Sequence, residues 1–215
     1  MKSSVKIETD RYVQYGCGLC APLTWRNFDA SPTLRLQKIP LLRHFFLNGA
    51  YPVFPSNVEY GNIVKGLPVR PNSCRAIFCS HVLEHLALQD FRIAVRNTYS
   101  YLEPDGLFRL IVPDLEKLAG DYVNSKDADA SHRFMERSRL GRRARASSLA
   151  GYLREFLGNS SHLWMWDFTS LSAEMRNAGF REVRRADFGD SDELYFRDVE
   201  DEGRWIDAFC MECVK

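Results

Sequence analysis

The feature that most constrains this chain is a helix-length amphipathic segment between two short apolar runs. The runs are Ala76–Cys79 and Leu107–Val112, and both have the continuous apolar character of strands buried on two faces. Between them, apolar residues recur at helical spacing from Phe91 to Leu102, before Pro104 and Gly106 end the pattern. This order predicts a β-α-β unit and therefore a parallel sheet covered by helices.

The same alternation extends along most of the chain. Five further runs predict strands, namely Arg11–Tyr15, Trp25–Asp29, Val58–Gly61, Phe180–Phe188 and Trp205–Val214. Thr169 is a plausible cap for a helix that carries Leu171 and Met175 and ends at Gly179. Strands that alternate with helices predict a doubly wound α/β domain, which binds ligands beyond the carboxyl ends of its strands.

An arginine-rich stretch with a helical pattern interrupts this alternation between residues 120 and 158. We interpret it as an insertion in a single domain of residues 1–215. From Arg133 to Arg154 there are seven arginines and one acid, whereas Asp187–Glu202 carries eight acids and one arginine. Such charge runs are usually solvated or neutralise one another, and an anion-binding lid is the functional alternative.

Composition limits the class of partner and the location. The formal net charge is +1, which argues against a dedicated nucleic-acid binder and favours a small-molecule partner. Met1–Asp10 is polar and lacks the apolar stretch of a signal peptide. The apolar region Ile39–Phe54 is broken by charges and prolines, so we expect no membrane span and a cytoplasmic protein.

The six cysteines include two pairs with CxxC spacing, Cys17/Cys20 and Cys210/Cys213. A four-cysteine zinc site is one interpretation of this spacing. However, Cys210 and Cys213 lie in a predicted strand, where residues three apart point to opposite faces. We therefore expect free thiols and no metal ligand.

A glycine turn follows the first predicted strand. Gly16 and Gly18 allow a tight turn and let a ligand approach the backbone closely. Asp29 ends the next strand, where a carboxylate can accept both hydrogens of a ribose diol. The two features together predict a site for a nucleoside-containing ligand.

Two longer segments complete the pattern, CSHVLEHL at Cys79–Leu86 and LEPDGLFRLIVPD at Leu102–Asp114. With the glycine turn, they make the chain similar to class I S-adenosylmethionine-dependent methyltransferases, in a small bacterial subgroup marked by the first segment. The resemblance runs from Tyr12 to Val214 and weakens across the arginine-rich stretch. It implies a mostly parallel seven-stranded sheet with the last strand antiparallel, and S-adenosylmethionine as the cofactor.

The resemblance also implies a role for individual residues. The methionine part of the cofactor would lie over Gly16, Cys17 and Gly18, and its carboxylate and sulfonium would be covered by Ser80 and His81. Asp29 would bind the ribose. The adenine would be flanked by Asn62 and Ile63. Tyr15 and Ala30 complete the predicted cofactor set. The chain departs from the family's pattern at Cys20, Asn62 and Arg75, which stand where a glycine and two acids are usual.

The implied activity is methyl transfer to a small-molecule or glycan acceptor, and we expect an oxygen to be methylated. Correct orientation of the reacting groups alone can lower the barrier of such a reaction by about 7–11 kcal/mol, so a base is optional. If a base is used, His81, His85 and Asp114 are the candidates, with packing or capping as the structural alternative for each.

Further residues near these motifs are candidates for acceptor binding. Trp164 and Trp166, beside His162, are candidates for an acceptor pocket or for the core. An anionic acceptor would suit Arg142, Arg143 and Arg145. Similar proteins in polysaccharide biosynthesis add weight to the glycan class.

Three other functions fit parts of the sequence. A non-catalytic module would bind S-adenosylmethionine or S-adenosylhomocysteine without turnover. His81, Glu84 and His85 match the HxxEH pattern of zinc peptidases, although that pattern needs a helix and a third ligand downstream. A dinucleotide oxidoreductase also uses a glycine turn and an acid, but the third glycine of its fingerprint is missing here.

Overall fold

A computed structural model describes residues 10–39, 53–142 and 161–215, which form a seven-stranded sheet flanked by helices. The strands are β1 (Tyr12–Tyr15), β2 (Arg26–Asp29), β3 (Val58–Tyr60), β4 (Cys74–Ser80), β5 (Leu102–Pro113), β6 (Glu182–Ala186) and β7 (Ala208–Val214). The helices are α1 (Pro32–Gln37), α2 (Leu88–Tyr101), α3 (Leu115–Asn124), α4 (Ala130–Arg137) and α5 (Phe168–Asn177). Every strand predicted from the sequence is present, with shifted ends.

The strand order is β3-β2-β1-β4-β5-β7-β6. Strands β1 to β5 pair in parallel, whereas β7 runs antiparallel to both of its neighbours, which confirms the predicted fold. The chain adds strands to one side of β1 and then crosses to β4 on the other side. This reversal opens a crevice beyond the carboxyl ends of β1 and β4, where doubly wound sheets bind their ligands.

Both faces of the sheet are apolar. Along β4, Ile77 belongs to the larger core cluster and Phe78 to the cluster on the opposite face, which explains why this strand has a continuous apolar sequence. Cys210 and Cys213 are divided in the same way. All six cysteines are free thiols, and no potential metal-binding group within the described ranges includes one.

The start of α5 differs from the prediction. Asp167 caps this helix, since its carboxylate accepts a hydrogen bond from the backbone N–H of Ser170 at 2.7 Å. Thr169 lies inside the first turn instead. Asp167 has the extended backbone that a capping residue needs, so the cap precedes the predicted residue by two positions.

The described part of the arginine-rich stretch contains the end of α3 and all of α4, which agrees with its helical pattern, while residues 143–160 lie outside the described ranges. Part of the acidic segment 187–202 is neutralised from the sheet. Arg109 of β5 is fully buried and contacts Glu200 at 2.6 Å and Asp190 at 3.0 Å. Arg184 of β6 contacts Asp190 as well, at 2.7 Å.

Among the described helices, none combines the length and the apolar character needed to cross a bilayer.

Candidate functional site

The glycine turn after β1 packs directly on the loop after β4. Gly16 and Gly18 have φ values of +68° and +56°, in the left-handed region that favours glycine. A Cβ placed on Gly16 would lie only 2.0 Å from Cγ2 of Val82. The turn therefore needs glycine at this position both for its backbone conformation and for its close contact with the next loop.

Asp29 holds this turn in place from the end of β2. Its Oδ2 accepts from the N–H of Gly18 at 2.9 Å, and its Oδ1 accepts from the N–H of Ser31 at 2.7 Å. A carboxylate has about four lone-pair positions, so each oxygen keeps acceptor capacity for a ribose hydroxyl. Ala30, the other residue predicted at this point, is exposed beside it.

Cys17 lies between the two glycines as a buried thiol. Burial, together with the nearby charge of Asp29, raises the pKa of Cys17 to about 12. The side chain is therefore protonated at neutral pH, and it lacks the thiolate that a nucleophile or metal ligand requires. Tyr15, which ends β1, is buried in the core, with its hydroxyl 3.2 Å from that of Thr98.

The side chain of Asn62 is oriented by the turn after β3. Its Oδ1 accepts from the N–H groups of Val64 at 2.9 Å and Lys65 at 3.2 Å, which occupies both carbonyl lone pairs. The side-chain NH₂ of Asn62 is therefore the group that can donate to a ligand. Ile63 is buried in the larger core cluster, so its side chain offers little surface to an adenine ring.

Ser80 and Arg204 meet at the carboxyl end of β4. The Ser80 hydroxyl is buried and has no hydrogen-bond partner in the part of the chain that the structure describes. Arg204 donates to the backbone carbonyl of Ser80 at 3.3 Å, and its Nη2 would lie 3.5 Å from a Cβ on Gly18. The guanidinium thus lies between the glycine turn and β4, where it can bind a carboxylate.

Sequence reasoning missed Arg204. It belongs to a short 3₁₀ helix, Glu202–Trp205, that precedes β7. No motif surrounds it, and one arginine among many carries no signal until the fold places it at the crevice.

His81 follows Ser80 with φ +54°, an uncommon conformation that histidine adopts more readily than most residues. Its Nε2 lies 2.8 Å from the carbonyl of Arg204, and its Nδ1 lies 3.2 Å from Oε1 of Glu84. Because both ring nitrogens face protein atoms, His81 is held rigidly. That arrangement favours a positioning role over the predicted role as a base.

Glu84 is the centre of a group that we call the carboxylate–histidine cluster, made of His81, Glu84, His85 and His162. Its side chain is 0% exposed, and neither carboxylate oxygen has a hydrogen-bond partner among the described residues. Oε1 lies 3.9 Å from Nε2 of His85 and 3.8 Å from Nε2 of His162. Burial lowers the pKa of His162, which favours its neutral form.

The segment that carries this cluster is not α-helical. Leu83–His85 forms a single 3₁₀ turn, and α2 begins only at Leu88. Glu84 is also enclosed by protein, whereas the base of a zinc peptidase must reach a water beside its substrate. The geometry of the HxxEH peptidase is therefore absent here.

Asp114 has a structural role. It caps α3 by accepting from the N–H of Lys117 at 3.1 Å, and its other oxygen lies 3.3 Å from Arg185. Each oxygen has one structural contact, and the role of Asp114 as a base stays a prediction.

The two tryptophans separate into one core and one exposed residue. Trp166 is buried against Phe91, with ring centroids 4.4 Å apart, whereas Trp164 is exposed. Arg142 is exposed, and Arg143 and Arg145 lie outside the described residues.

Comparison with known proteins agrees with this geometry. A family model described as a methyltransferase domain matches residues 48–110, which include Asn62, Ser80 and the first three residues of the cluster. An S-adenosylmethionine-dependent methyltransferase from Thermotoga maritima is 19% identical, with 95% of this chain and 82% of that chain covered at a TM-score of 0.50. One from Archaeoglobus fulgidus is 14% identical, with coverages of 97% and 87% and a TM-score of 0.50.

No curated protein sequence matches the chain. The solved structures share its fold, and the family model covers β3, β4 and the loop after β4. Residues 48–110 are thus similar to a methyltransferase domain and the chain has the fold of S-adenosylmethionine-dependent methyltransferases, which together support a methyltransferase that uses S-adenosylmethionine.

Proposed function

We propose that the enzyme methylates an oxygen of a small-molecule or glycan acceptor, with S-adenosylmethionine bound across the carboxyl ends of β1 and β4. The observation that carries this proposal is the carboxylate–histidine cluster directly beyond β4. It begins at His81, the residue that follows Ser80 in the crevice, so titratable groups stand beside the expected position of the sulfonium.

The cofactor fits this crevice by the chemistry of its parts. Asp29 has two acceptor positions left for the ribose diol, and Arg204 offers a guanidinium to the methionine carboxylate. The unpartnered hydroxyl of Ser80 can hydrogen-bond to the same carboxylate. The adenine would lie towards Asn62, whose side-chain NH₂ can donate to a ring nitrogen.

An oxygen acceptor agrees with the groups beside this pocket. A neutral hydroxyl is a weak nucleophile, and it must lose its proton as the new C–O bond forms and the C–S bond breaks. Imidazoles and a carboxylate promote this loss either by receiving the proton or by holding a metal ion that acidifies the hydroxyl. In the cluster, three histidines surround one carboxylate.

The exposed ring of Trp164 supports a sugar or another flat acceptor. The N–H of Trp164 donates to the backbone carbonyl of Glu84 at 3.1 Å, which holds this residue beside the cluster. An indole face packs well against the apolar face of a sugar ring. Four further points remain predictions from the sequence: an anionic acceptor, a role in polysaccharide biosynthesis, a cytoplasmic location and the absence of nucleic-acid partners.

Calorimetry and an acceptor panel test the proposal. Titration with S-adenosylmethionine and S-adenosylhomocysteine should show binding, and NAD should show none. Sugars and phenols should then gain a methyl group, detected by mass spectrometry, while matched amines should not. Methylation of the amines alone would contradict the oxygen assignment, and cofactor binding without turnover on any acceptor would favour a non-catalytic module.

A further inference from the structure

We infer that the carboxylate–histidine cluster is a binding site for a divalent first-row transition-metal ion, with Glu84, His85 and His162 as its ligands. No metal ligand was predicted from the sequence, so this inference departs from that prediction. Four observations support the site: the spacing of the ligand atoms, the burial of Glu84, the hydrogen bond that orients the His85 imidazole and the support of the backbone.

The ligand atoms are close enough to share one ion. One atom from each of Glu84, His85 and His162 lies within 4.8 Å of the other two. Two ligands bound at about 2.1 Å in tetrahedral geometry stand about 3.4 Å apart. Since Oε1 of Glu84 is 3.9 and 3.8 Å from the two imidazole nitrogens, small side-chain rotations suffice to close the site.

Glu84 lacks the partners that a buried carboxylate needs. It is fully buried, and both oxygens are without a hydrogen bond within the described ranges. Removing an ionised carboxylate from water costs several kcal/mol unless a charge or hydrogen bonds compensate for it. Buried charges in proteins are paired or coordinate metals, and a cation between Glu84 and the two imidazoles would provide this compensation.

The imidazole of His85 has the tautomer that a metal requires. Its Nδ1 lies 2.9 Å from the carbonyl of Ser161, to which it can only donate. Nε2 then carries the lone pair, and it lies 3.9 Å from Oε1 of Glu84. A hydrogen bond from the second ring nitrogen to a carbonyl is the usual support of a metal-bound histidine.

The backbone holds the third ligand in place. His162 comes from a segment far along the chain, and the N–H groups of Leu163 and Trp164 both donate to the carbonyl of Glu84, at 2.8 and 3.1 Å. The ligand and the carboxylate it faces are thus joined by direct hydrogen bonds. This is the downstream histidine that the sequence pattern by itself did not identify.

The chemistry of the three ligands determines which ions the site can bind. Two imidazoles and one carboxylate suit Zn²⁺, Fe²⁺, Co²⁺ or Ni²⁺, whereas Mg²⁺ and Ca²⁺ prefer oxygen ligands. His81, which follows Ser80 at the crevice, is the most exposed member of the cluster at 29% of its side chain, and its Nδ1 lies 3.2 Å from Oε1 of Glu84. If the proposed function holds, the ion binds the acceptor hydroxyl and lowers its pKa, so that the oxygen attacks the methyl carbon after its proton passes to solvent.

The test uses the whole protein after removal of metal with a chelator. Calorimetric titration with Zn²⁺ should give one tight site, Co²⁺ should produce visible absorption of a protein-bound ion, and Mg²⁺ should give no signal. His162→Gln and Glu84→Gln should each weaken Zn²⁺ binding by about 100-fold or more. His132→Gln alters an exposed histidine on α4 and serves as the matched control.

Thermal unfolding of the metal-free variants shows whether each one is folded, and His162→Gln provides a second readout if Glu84→Gln is not. Zn²⁺ affinity that is unchanged in a folded His162→Gln protein would overturn the site. The same result follows if wild-type protein binds no transition metal.

The proposed function fails in a different way. S-adenosylmethionine binding should survive removal of the metal, while methylation of hydroxyls should stop and return with Zn²⁺. Methylation without any metal would refute the role of the ion and leave the proposed function intact. Tight Zn²⁺ binding with no methylation of any hydroxyl would keep the site and refute the oxygen acceptor.

Discussion

Substitution of Gly16 by alanine tests the contact that builds the cofactor crevice. The new methyl group would stand 2.0 Å from Cγ2 of Val82, on a backbone with φ +68°. Gly189 provides a matched control, because its φ is +71° and no atom of the described chain lies within 4 Å of its ideal Cβ. Both substitutions carry the left-handed penalty, and only the first adds a collision.

The size of the effect follows from these two terms. The left-handed conformation costs an alanine about 1–2 kcal/mol, and this cost is common to both variants. Overpacking adds about 1–3 kcal/mol for Gly16→Ala alone. In a chain of this length, 1 kcal/mol lowers the melting temperature by about 2–4 °C, so Gly16→Ala should melt about 2–12 °C below Gly189→Ala.

Thermal unfolding and calorimetric titration with S-adenosylmethionine measure the two consequences. Gly189→Ala should keep wild-type affinity, whereas Gly16→Ala should bind more weakly because its turn is displaced. Val82→Ala removes the colliding atom, so the double variant should regain part of the loss in both assays. Equal melting temperatures for the two glycine variants, or no rescue by Val82→Ala, would refute the inferred contact.

Three other predictions concern the crevice and the acidic segment. Asp29→Ala should weaken S-adenosylmethionine binding about 5- to 150-fold, since two ribose hydroxyls lose their acceptor at about 1–3 kcal/mol; wild-type affinity by calorimetry would show that the ribose lies elsewhere. Arg204→Gln should weaken S-adenosylhomocysteine about 10- to 150-fold and leave methylthioadenosine, which has no carboxylate, unaffected; equal losses for both ligands would contradict the carboxylate contact. Burial acts to raise the pKa of Asp190, but hydrogen bonds from Arg184, the Asp187 amide and Arg109 lower it to about 2 from 3.8, so its contribution to stability is present above pH 3.8 and is lost as pH falls to about 2. Urea unfolding at several pH values should therefore show a shallower acid dependence in Asp190→Asn, and an unchanged slope would exclude this linkage.

Much of the fold could be predicted because its signals are local. The apolar runs of β4 and β5, and the helical spacing of α2 between them, depend only on which faces of each element are buried. The glycine turn could be predicted for a similar reason, since a positive φ at Gly16 and Gly18 is a property of the residue type.

The roles of individual side chains were harder to predict, because each depends on a partner that is distant in sequence. Asp114 has the residue type of a base, and the fold places it as the cap of α3, in contact with Lys117 and Arg185. Asn62 was expected to flank the adenine, and two backbone N–H groups of its own turn use both lone pairs of its carbonyl. In each case the residue type suggested a role, and the hydrogen-bond partners came to light only with the fold.

The sequence by itself determined the class of sheet, the position of the glycine turn and the acid on β2, since these follow from short-range periodicity and from residue type. Only the tertiary structure brought Arg204 to the end of β4 and His162 to the carboxylate of Glu84. Neither contact leaves a trace in local sequence, because it forms between segments that meet only when the sheet is assembled. The cofactor crevice was therefore visible in the sequence, whereas the carboxylate–histidine cluster required the fold.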